Sequence, residues 1–377
     1  PENDPSCILR EEWFVKQVIC NPEAAGAVRS LLGSDFHLPV LMSNHRERGP
    51  YCEPGGWHMD GNFKHGYELP GLHVFYYPQD TTEDMGPSSI LPGTHIFKTI
   101  SNDDPTKTRE EALPLCGPAG TVALVHFDSW HRATENVSDK KRYMIKFQFT
   151  RMVEPRQPTW NSVSCGWNPP QSDEDGAVSF DVWRWLCGTE VSTASPSTDG
   201  TGQREGLLAD LASADEATRL RAAYKLGSTG VGVVPELLAS LRYQATGAVE
   251  HIEDKTHANA HGTNPTALHA AQALIAVGVA AVPQLVEALT DDHWLVRASL
   301  VDVLANLGPR ASAAVPALGE RLRDDHWWVR RGAAEALGRM AADGSVPLLV
   351  ERLRDEDRRV RRMASVALAQ IGRCVIA

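Results

Sequence analysis

Two histidines and one aspartate stand at spacings that suit a metal site. His58 and Asp60 are separated by one residue, so on an extended strand their side chains point to the same side. His131 follows 71 residues after Asp60. Two imidazoles and one carboxylate on one face of Fe(II) leave the opposite face open, which is typical of non-haem iron oxygenases. We therefore predict that His58, Asp60 and His131 bind Fe(II) and form the catalytic centre.

A second His-x-Asp pattern, His126-Phe127-Asp128, shows that the pattern alone is weak evidence. The first pair follows a Pro-Gly-Gly turn and has His131 far downstream as a third ligand. No histidine follows His131 before residue 189, so the second pair lacks a distant third ligand of its own. The first pair is the predicted metal site.

Arg142 lies 11 residues beyond His131, at the head of a segment in which apolar residues alternate with polar ones. A period of two predicts a half-buried strand over residues 143–151, with a polar face that is suited to line a cavity. A guanidinium binds a carboxylate through two parallel hydrogen bonds. We expect Arg142 to hold the distal carboxylate of a ligand. The competing interpretation is a surface position in a basic cluster with two neighbouring lysines.

The elements that must position these residues differ between the two halves of the chain. Short apolar runs at residues 39–43, 72–78, 121–127 and 143–151 predict strands, and Pro22–Leu32 predicts a helix. Many short strands favour a sandwich, jelly roll or barrel. Residues 189–206 are rich in Ser, Thr and Gly and predict a linker. The predicted domains are residues 1–188 and 207–377.

The second half is repetitive. Val-Pro pairs at Pro283, Pro316 and Pro347 recur 33 and 31 residues apart, and Val-Arg pairs at Arg297, Arg330 and Arg361 keep the same spacing. Each pair begins a predicted helix. A fixed period with two helices per unit predicts an all-α solenoid of HEAT type.

One repeat unit is longer than the others. Pro235 and Pro283 are 48 residues apart, and the excess lies in an insertion at about 242–266 that carries His251, His257 and His261. An insertion in a solenoid usually lies on one face, often the binding face. A solvated or contact loop is favoured over a metal site. A cap over the active site of the first domain is a further alternative.

Composition excludes several classes of protein. The formal net charge is −11, which argues against a nucleic-acid partner. No apolar run approaches the ~20 residues that cross a membrane. The seven cysteines are scattered without a Cys-x-x-Cys pair, so we expect reduced thiols and a cytoplasmic location.

An ordered set of segments resembles the phytanoyl-CoA dioxygenase family. The set comprises WHMDG at residues 57–61, MGPSSILPGTH at 85–95, GTVALVHFDSWHRA at 120–133, and then Asn136, Ser138 and Arg142. The resemblance implies a double-stranded β-helix (jelly roll, cupin-like) and an Fe(II)- and 2-oxoglutarate-dependent oxygenase. It implies His58, Asp60 and His131 as iron ligands, Arg142 as the 2-oxoglutarate anchor and Asn44 as a second cosubstrate contact.

The expected function is hydroxylation of a C–H bond in a small-molecule or carrier-bound metabolite, with release of succinate and CO₂. Halogenases of this superfamily replace the carboxylate ligand by a small residue, and Asp60 therefore favours hydroxylation. The alternative is a scaffold in which the repeats bind a protein partner and the oxygenase domain is inactive or acts on a protein. A di-iron enzyme built on the repeats is disfavoured, because the sequence has no His-Glu dipeptide.

Overall fold

A computed structural model describes residues 7–38, 44–58, 69–96, 112–161, 166, 177–188, 201–253 and 268–376. The described part of the N-terminal half contains eight strands. They are β1 Phe36–His37, β2 Asn44–Arg48, β3 Gly71–Tyr77, β4 Ser88–Ile90, β5 Leu113–Pro114, β6 Thr121–His126, β7 His131–Ala133 and β8 Arg142–Arg151. The predicted strand at residues 39–43 lies outside the described residues.

The strands form two antiparallel sheets. The larger sheet has the order β1-β8-β3-β6, and β2 also pairs with β8; the smaller sheet has the order β5-β4-β7. Phe75, Tyr77 and Met144 of the larger sheet pack against Ile90 of the smaller one. The phenol oxygen of Tyr77 accepts the backbone N–H of Ser88 at 3.0 Å, which joins the two sheets. The sheets therefore face each other across a narrow interior.

The opposite face of the larger sheet is covered by N-terminal helices. A short helix α1, Glu12–Phe14, continues into a π-helical turn, Val15–Ile19, and is followed by α2, Pro22–Leu32. The Asn21 side chain caps α2 by accepting two backbone N–H groups, which contributes about 1 kcal/mol. Phe14 and Leu32 pack against the outward side chains of the sheet, among them Phe147.

The remaining described helices lie between residues 177 and 376. They are α3 Ala177–Leu186, α4 Thr201–Asp210, α5 Glu216–Ser228, α6 Val234–Glu253, α7 His269–Val277, α8 Val282–Ala288, α9 Trp294–Leu307, α10 Val315–Arg321, α11 Trp327–Arg339, α12 Val346–Arg352 and α13 Arg358–Ile376. The apolar faces of α4 to α13 form one continuous core, and Val178 and Val182 of α3 pack in a separate cluster with Leu220 and Tyr224. The helical C-terminal half is as predicted.

Each predicted repeat signal marks a helix start. Pro283, Pro316 and Pro347 occupy the first turn of α8, α10 and α12, where the missing N–H costs nothing. The side chains of His293 and His326 cap α9 and α11 by accepting a backbone N–H. The Trp294 ring stacks on the His326 ring with centroids 3.8 Å apart, so these residues link neighbouring repeats.

Buried ion pairs also link the repeats. Arg330 donates to both carboxylate oxygens of Asp355 at 2.9 Å, and both residues are less than a tenth exposed. Arg297 makes the same pair with Asp324 one repeat earlier. Each arginine also donates to two backbone carbonyls of the turn that precedes its own helix. The Val-Arg periodicity thus reflects a ladder of guanidinium contacts.

The helical stack contacts the β-sheet part just beyond the end of β8. The carboxylate of Glu154 accepts two hydrogen bonds from Arg339 of α11, at 3.0 and 2.8 Å. Its second oxygen accepts the indole N–H of Trp185 in α3 at 2.9 Å. The strand that begins at Arg142 is therefore tied at its far end to the repeats.

Three features of the second half extend the sequence interpretation. Helix α4 begins at Thr201, within the interval 189–206, and the predicted domain boundaries stay a prediction. The first part of the insertion continues α6 as far as Glu253, whereas His257 and His261 lie outside the described residues. The stretch His269–Ala288 is long and apolar enough to cross a membrane, yet 67% of its apolar window is buried inside the protein and Gly278 interrupts it at φ +80°.

We expect Arg330→Ala to lower the free energy of unfolding by about 3 kcal/mol, because the buried Asp355 loses its two-point partner and, among the described side chains, keeps only the hydrogen bond from Arg352 at 3.2 Å. Arg323→Ala is the matched control. That arginine is 53% exposed and lies 3.8 Å from Glu351, so its loss should cost less than about 1 kcal/mol. Urea unfolding followed by circular dichroism measures both. Equal midpoint shifts for the two variants would contradict the ladder.

Candidate metal centre

His58 and His131 are held opposite each other by their own backbones. The N–H of His58 donates to the carbonyl of His131, and the N–H of His131 donates to the carbonyl of His58, both at 3.0 Å. Residues that exchange both hydrogen bonds in an antiparallel pair carry their side chains on the same face. The two imidazole centroids are accordingly 4.4 Å apart. Two of the three predicted ligands therefore converge.

Both rings are oriented by hydrogen bonds at the nitrogen nearer to the backbone. Nδ1 of His58 lies 3.0 Å from the carbonyl of Gly56, and Nδ1 of His131 lies 2.9 Å from the carbonyl of Ser129. A carbonyl only accepts, so each Nδ1 carries the proton and each Nε2 carries the lone pair. A histidine fixed in this way is ready to bind a metal through Nε2. The pair fits a divalent cation.

The predicted carboxylate ligand, Asp60, lies outside the described residues. Within the described ranges, no group of three His, Cys, Asp or Glu side chains is placed to hold a metal ion. Asp60 follows His58 by two residues, so an extended chain would carry its carboxylate to the same face as the imidazole. Its role as third ligand stays a prediction.

Arg142 is a buried residue of the interior and not a surface one. Its side chain is 1% exposed. Nε and Nη2 donate to the carbonyl of Gly86 at 3.1 and 2.9 Å, and the guanidinium lies 5.9 Å from the Tyr77 ring centroid. Gly86 has φ +70°, and a Cβ there would lie 2.9 Å from the carbonyl oxygen of Thr134, so glycine is required. The competing surface interpretation of Arg142 is wrong.

The loop between His131 and Arg142 is fixed by an asparagine. The Asn136 amide donates to the carbonyls of Gly49 and Lys140 at 2.9 and 2.8 Å, and its oxygen accepts the Ser138 hydroxyl at 2.7 Å. Asn136 is fully buried. Asn136 and Ser138, which contribute to the family resemblance, therefore set the path of the chain from the second histidine to the arginine.

Lys146 is a residue of this site that the sequence interpretation did not single out. It lies on the inner face of β8 with Arg142, because residues at even spacing on a strand share a face. It is 6% exposed, and its Nζ lies 3.0 Å from Nε2 of His131. Arg142, Lys146 and Gln148 are all buried. Their even spacing along the strand was the sequence signal that could have placed Lys146 on the same face as Arg142.

His73 is the neutral histidine of the inner wall. It lies opposite Gln148 in the sheet and is 2% exposed. Burial lowers the pKa of His73 well below its ordinary value, and the nearby His131 lowers it further. His73 and Tyr77 face the interior, whereas Tyr76 packs outward on Phe14.

The second His-x-Asp pattern lies close to the first. His126 stacks on His95 with ring centroids 4.4 Å apart, and its Nδ1 accepts the backbone N–H of Asp128 at 3.1 Å. Asp128 is fully buried. His95 therefore packs beside the rejected pair, and the backbone pairing distinguishes His58 and His131 from it.

Asn44 begins β2, and its backbone lies opposite Lys146 of β8. Its side chain is outside the described residues, so its contact with the cosubstrate stays a prediction.

Comparisons with known proteins assign the two parts of the chain. Residues 4–144 match the family model of phytanoyl-CoA dioxygenase (PhyH), and residues 259–334 and 315–373 match that of HEAT repeats. Uncharacterized proteins from Mycobacterium bovis and Mycobacterium tuberculosis are each 31% identical over 89 residues. The match covers 24% of this chain and 32% of each relative, about a third of their length. The resemblance of both parts is confirmed.

Similar solved structures are more distant. The non-haem monooxygenase ThoJ in a nickel complex is 20% identical over 45% of this chain and 71% of its own, with a TM-score of 0.31. The epimerase SnoN from nogalamycin biosynthesis is 17% identical over 37% and 57%, with a TM-score of 0.30. The CpcE–CpcF phycocyanin lyase from Nostoc is 26% identical over 48% and 68%, with a TM-score of 0.31.

We expect His131→Gln to weaken Co(II) binding by more than about 100-fold, because loss of a residue that merely supports a ligand already costs about 10–100-fold. His95→Gln should leave the affinity unchanged, since His95 packs beside the second pattern. Titration followed by visible absorption gives both affinities. Loss of binding in His95→Gln alone would move the metal to the second His-x-Asp pair.

Proposed function

We propose that the protein is an Fe(II)- and 2-oxoglutarate-dependent dioxygenase that hydroxylates a C–H bond of a small-molecule or carrier-bound metabolite. One observation carries the proposal. Two histidines are paired through their backbones, each with Nδ1 on a carbonyl, within a segment that matches a dioxygenase family. The double-stranded β-helix implied by the resemblance is part of the proposal, and the two facing sheets support it.

His58, Asp60 and His131 would hold the iron. Bound Fe(II) and 2-oxoglutarate would supply the oxidation, in which O₂ is consumed and succinate and CO₂ are released. Arg142 would bind the distal carboxylate of the cosubstrate, and Asn44 would make a second contact with the cosubstrate. A planar guanidinium suits a carboxylate because two parallel N–H groups meet two oxygens. The chain itself contributes binding, orientation and a confined interior.

The walls of the interior suit this chemistry. Phe75, Met144 and Ile90 are each 5% exposed or less and place apolar groups between the sheets. His73, whose pKa is lowered by burial, adds a neutral ring. A site that excludes water strengthens the charge interactions inside it and protects the reaction from side products.

In this proposal the repeats support the oxygenase part of the chain and offer a surface to a protein partner. The contact of Glu154 with Arg339 and Trp185 supports the first role. A cytoplasmic location remains part of the proposal.

The alternative is a scaffold whose oxygenase part is inactive. Isothermal titration of the full chain with Co(II) and then with 2-oxoglutarate separates the two proposals. The enzyme requires that both bind, with 2-oxoglutarate binding only after the metal. Binding of neither ligand would favour the scaffold.

The protein is loaded with iron anaerobically and is then aerated in the presence of each member of a metabolite panel. We expect a substrate in the panel to stimulate the formation of succinate. Asp60→Ala should abolish this stimulation, because the iron would lose its carboxylate ligand. Succinate is quantified by mass spectrometry. Full turnover by Asp60→Ala would show that the ligand assignment is wrong.

Arg142→Lys should raise the KM for 2-oxoglutarate by about 10–100-fold, because a charge-assisted hydrogen bond contributes about 1.5–3 kcal/mol. Co(II) affinity should not change, since the guanidinium of Arg142 is held on the carbonyl of Gly86 and is not one of the proposed metal ligands. Lys141→Met is the control from the same basic cluster. Lys141 is exposed and pairs with Glu47, so the Lys141→Met variant should have the same KM for 2-oxoglutarate as the unmodified protein.

A further inference from the structure

A cavity of about 190 Å³ lies between the helical repeats and the chain at the end of β8. A water molecule needs only about 10–15 Å³ of such space, so the cavity is large enough for a small organic molecule. Residues 150–154 form one wall, and residues of α11 and α13 form the other. Its described lining includes none of the predicted ligands of iron or 2-oxoglutarate. Pockets at the junction of two domains are preferred places for small ligands.

The walls of this cavity are held in place by hydrogen bonds across the junction. Glu154 is anchored on Arg339 and on the indole of Trp185. The guanidinium of Arg151 donates to the carbonyls of Leu69, at 3.3 Å, and Leu31, and it lies 4.8 Å from the centroid of the Trp185 ring. A cavity whose walls are positioned in advance binds a ligand at a smaller entropic cost.

The charge of the lining favours an anion. Three arginines and two glutamates border the cavity, which gives its walls a formal charge of +1 in a chain of net charge −11. The charge of Arg339 is balanced by Glu154. Arg156, in contrast, is exposed at the edge of the cavity and has no ion-pair partner within the described part of the chain. Its guanidinium is suited to bind a carboxylate through two parallel hydrogen bonds.

The rest of the lining favours an apolar body with one polar group. Met152, Pro309, Met363 and Val366 place apolar atoms on both walls. The amide oxygen of Gln370 is buried on the same lining, without a hydrogen-bond donor among the described residues. A buried acceptor without a donor is costly, so a hydroxyl or N–H group of a ligand would relieve it.

We propose that this cavity binds a small monocarboxylic acid with an apolar body and a hydrogen-bond donor. Arg156 binds its carboxylate, the body packs between Met152 and Val366, and the donor reaches Gln370. The ligand contacts the end of β8 together with α11 and α13, so it fastens the repeats to the strand that begins at Arg142. This site goes beyond the proposed oxygenase function and requires neither metal nor cosubstrate.

The test is isothermal titration of the metal-free, full-length protein with 4-hydroxyphenylacetate, 4-hydroxybenzoate and 6-hydroxyhexanoate. We expect at least one acid to bind with a Kd below about 10 mM. The primary amide of that acid has the same shape without the charge. It should bind about 10-fold or more weakly, because a charge-assisted hydrogen bond is lost.

Two variants and two matched controls locate the bound acid. Arg156→Met should weaken binding about 10-fold or more, and Val366→Trp should abolish it by filling the cavity. Arg354→Met removes an exposed arginine that does not line the cavity. Val350→Trp enlarges a valine of α12 that is 49% exposed, comparable with 39% for Val366. Both controls should bind the acid as the unmodified protein does, and thermal melts verify that all four variants fold.

Three results would overturn the inference. The first is the absence of binding of all three acids to the unmodified protein. The second is full affinity in either Arg156→Met or Val366→Trp, which would place the acid elsewhere. The third is an equal loss of affinity in a variant and its matched control. Failure of the protein to bind Co(II) or 2-oxoglutarate is a separate outcome, which removes the proposed function and leaves this site untouched.

Discussion

The reciprocal backbone hydrogen bonds between His58 and His131 are the constraint on which the site depends. Two further backbone contacts join the segment that carries His58 to the region of β7. Cys52 and Asn136 exchange hydrogen bonds, and the N–H of Gly55 donates to the carbonyl of Ala133. These contacts fix the pairing of residues 52–58 with residues 131–136. A slip of one residue would turn the imidazole to the other face, because side chains alternate along an extended chain. The geometry of the metal ligands is therefore set by main-chain pairing before any metal binds.

Strand β8 connects this site to the rest of the molecule. Its outward side chains, Phe147 and Phe149, pack under the N-terminal helices, and its inward side chains include Arg142 and Lys146. Burying two cations on one face lowers stability unless other groups compensate. The apolar outer face and pairing with β1, β2 and β3 provide that compensation. Residues that break a local rule in this way are expected at functional sites.

Much of this arrangement could be predicted from the sequence. The bounds of helix α2 agree with the prediction, and β3, β6 and β8 agree to within one residue at each end, because alternation and turn residues mark them directly. The repeats followed from their period. The burial of both faces of β8 was harder to foresee, since alternation predicts one buried face and here all residues from Lys146 to Phe149 are buried.

Other features depended on contacts between distant segments. The approach of Lys146 to His131 requires the facing sheets, and the stacking of His95 on His126 joins residues 31 positions apart. No local pattern reports such contacts. The ion-pair ladder is an intermediate case. The Val-Arg periodicity was visible in the sequence. That each arginine pairs with the aspartate of the next repeat became clear only from the stacked helices.

The most direct test of the metal centre is anomalous diffraction at the iron edge from crystals grown anaerobically with Fe(II) and 2-oxoglutarate. We expect one strong peak within bonding distance of Nε2 of His58, Nε2 of His131 and a carboxylate oxygen of Asp60. A peak bound by His126 or His95, or iron that contacts only one of the paired histidines, would contradict the account.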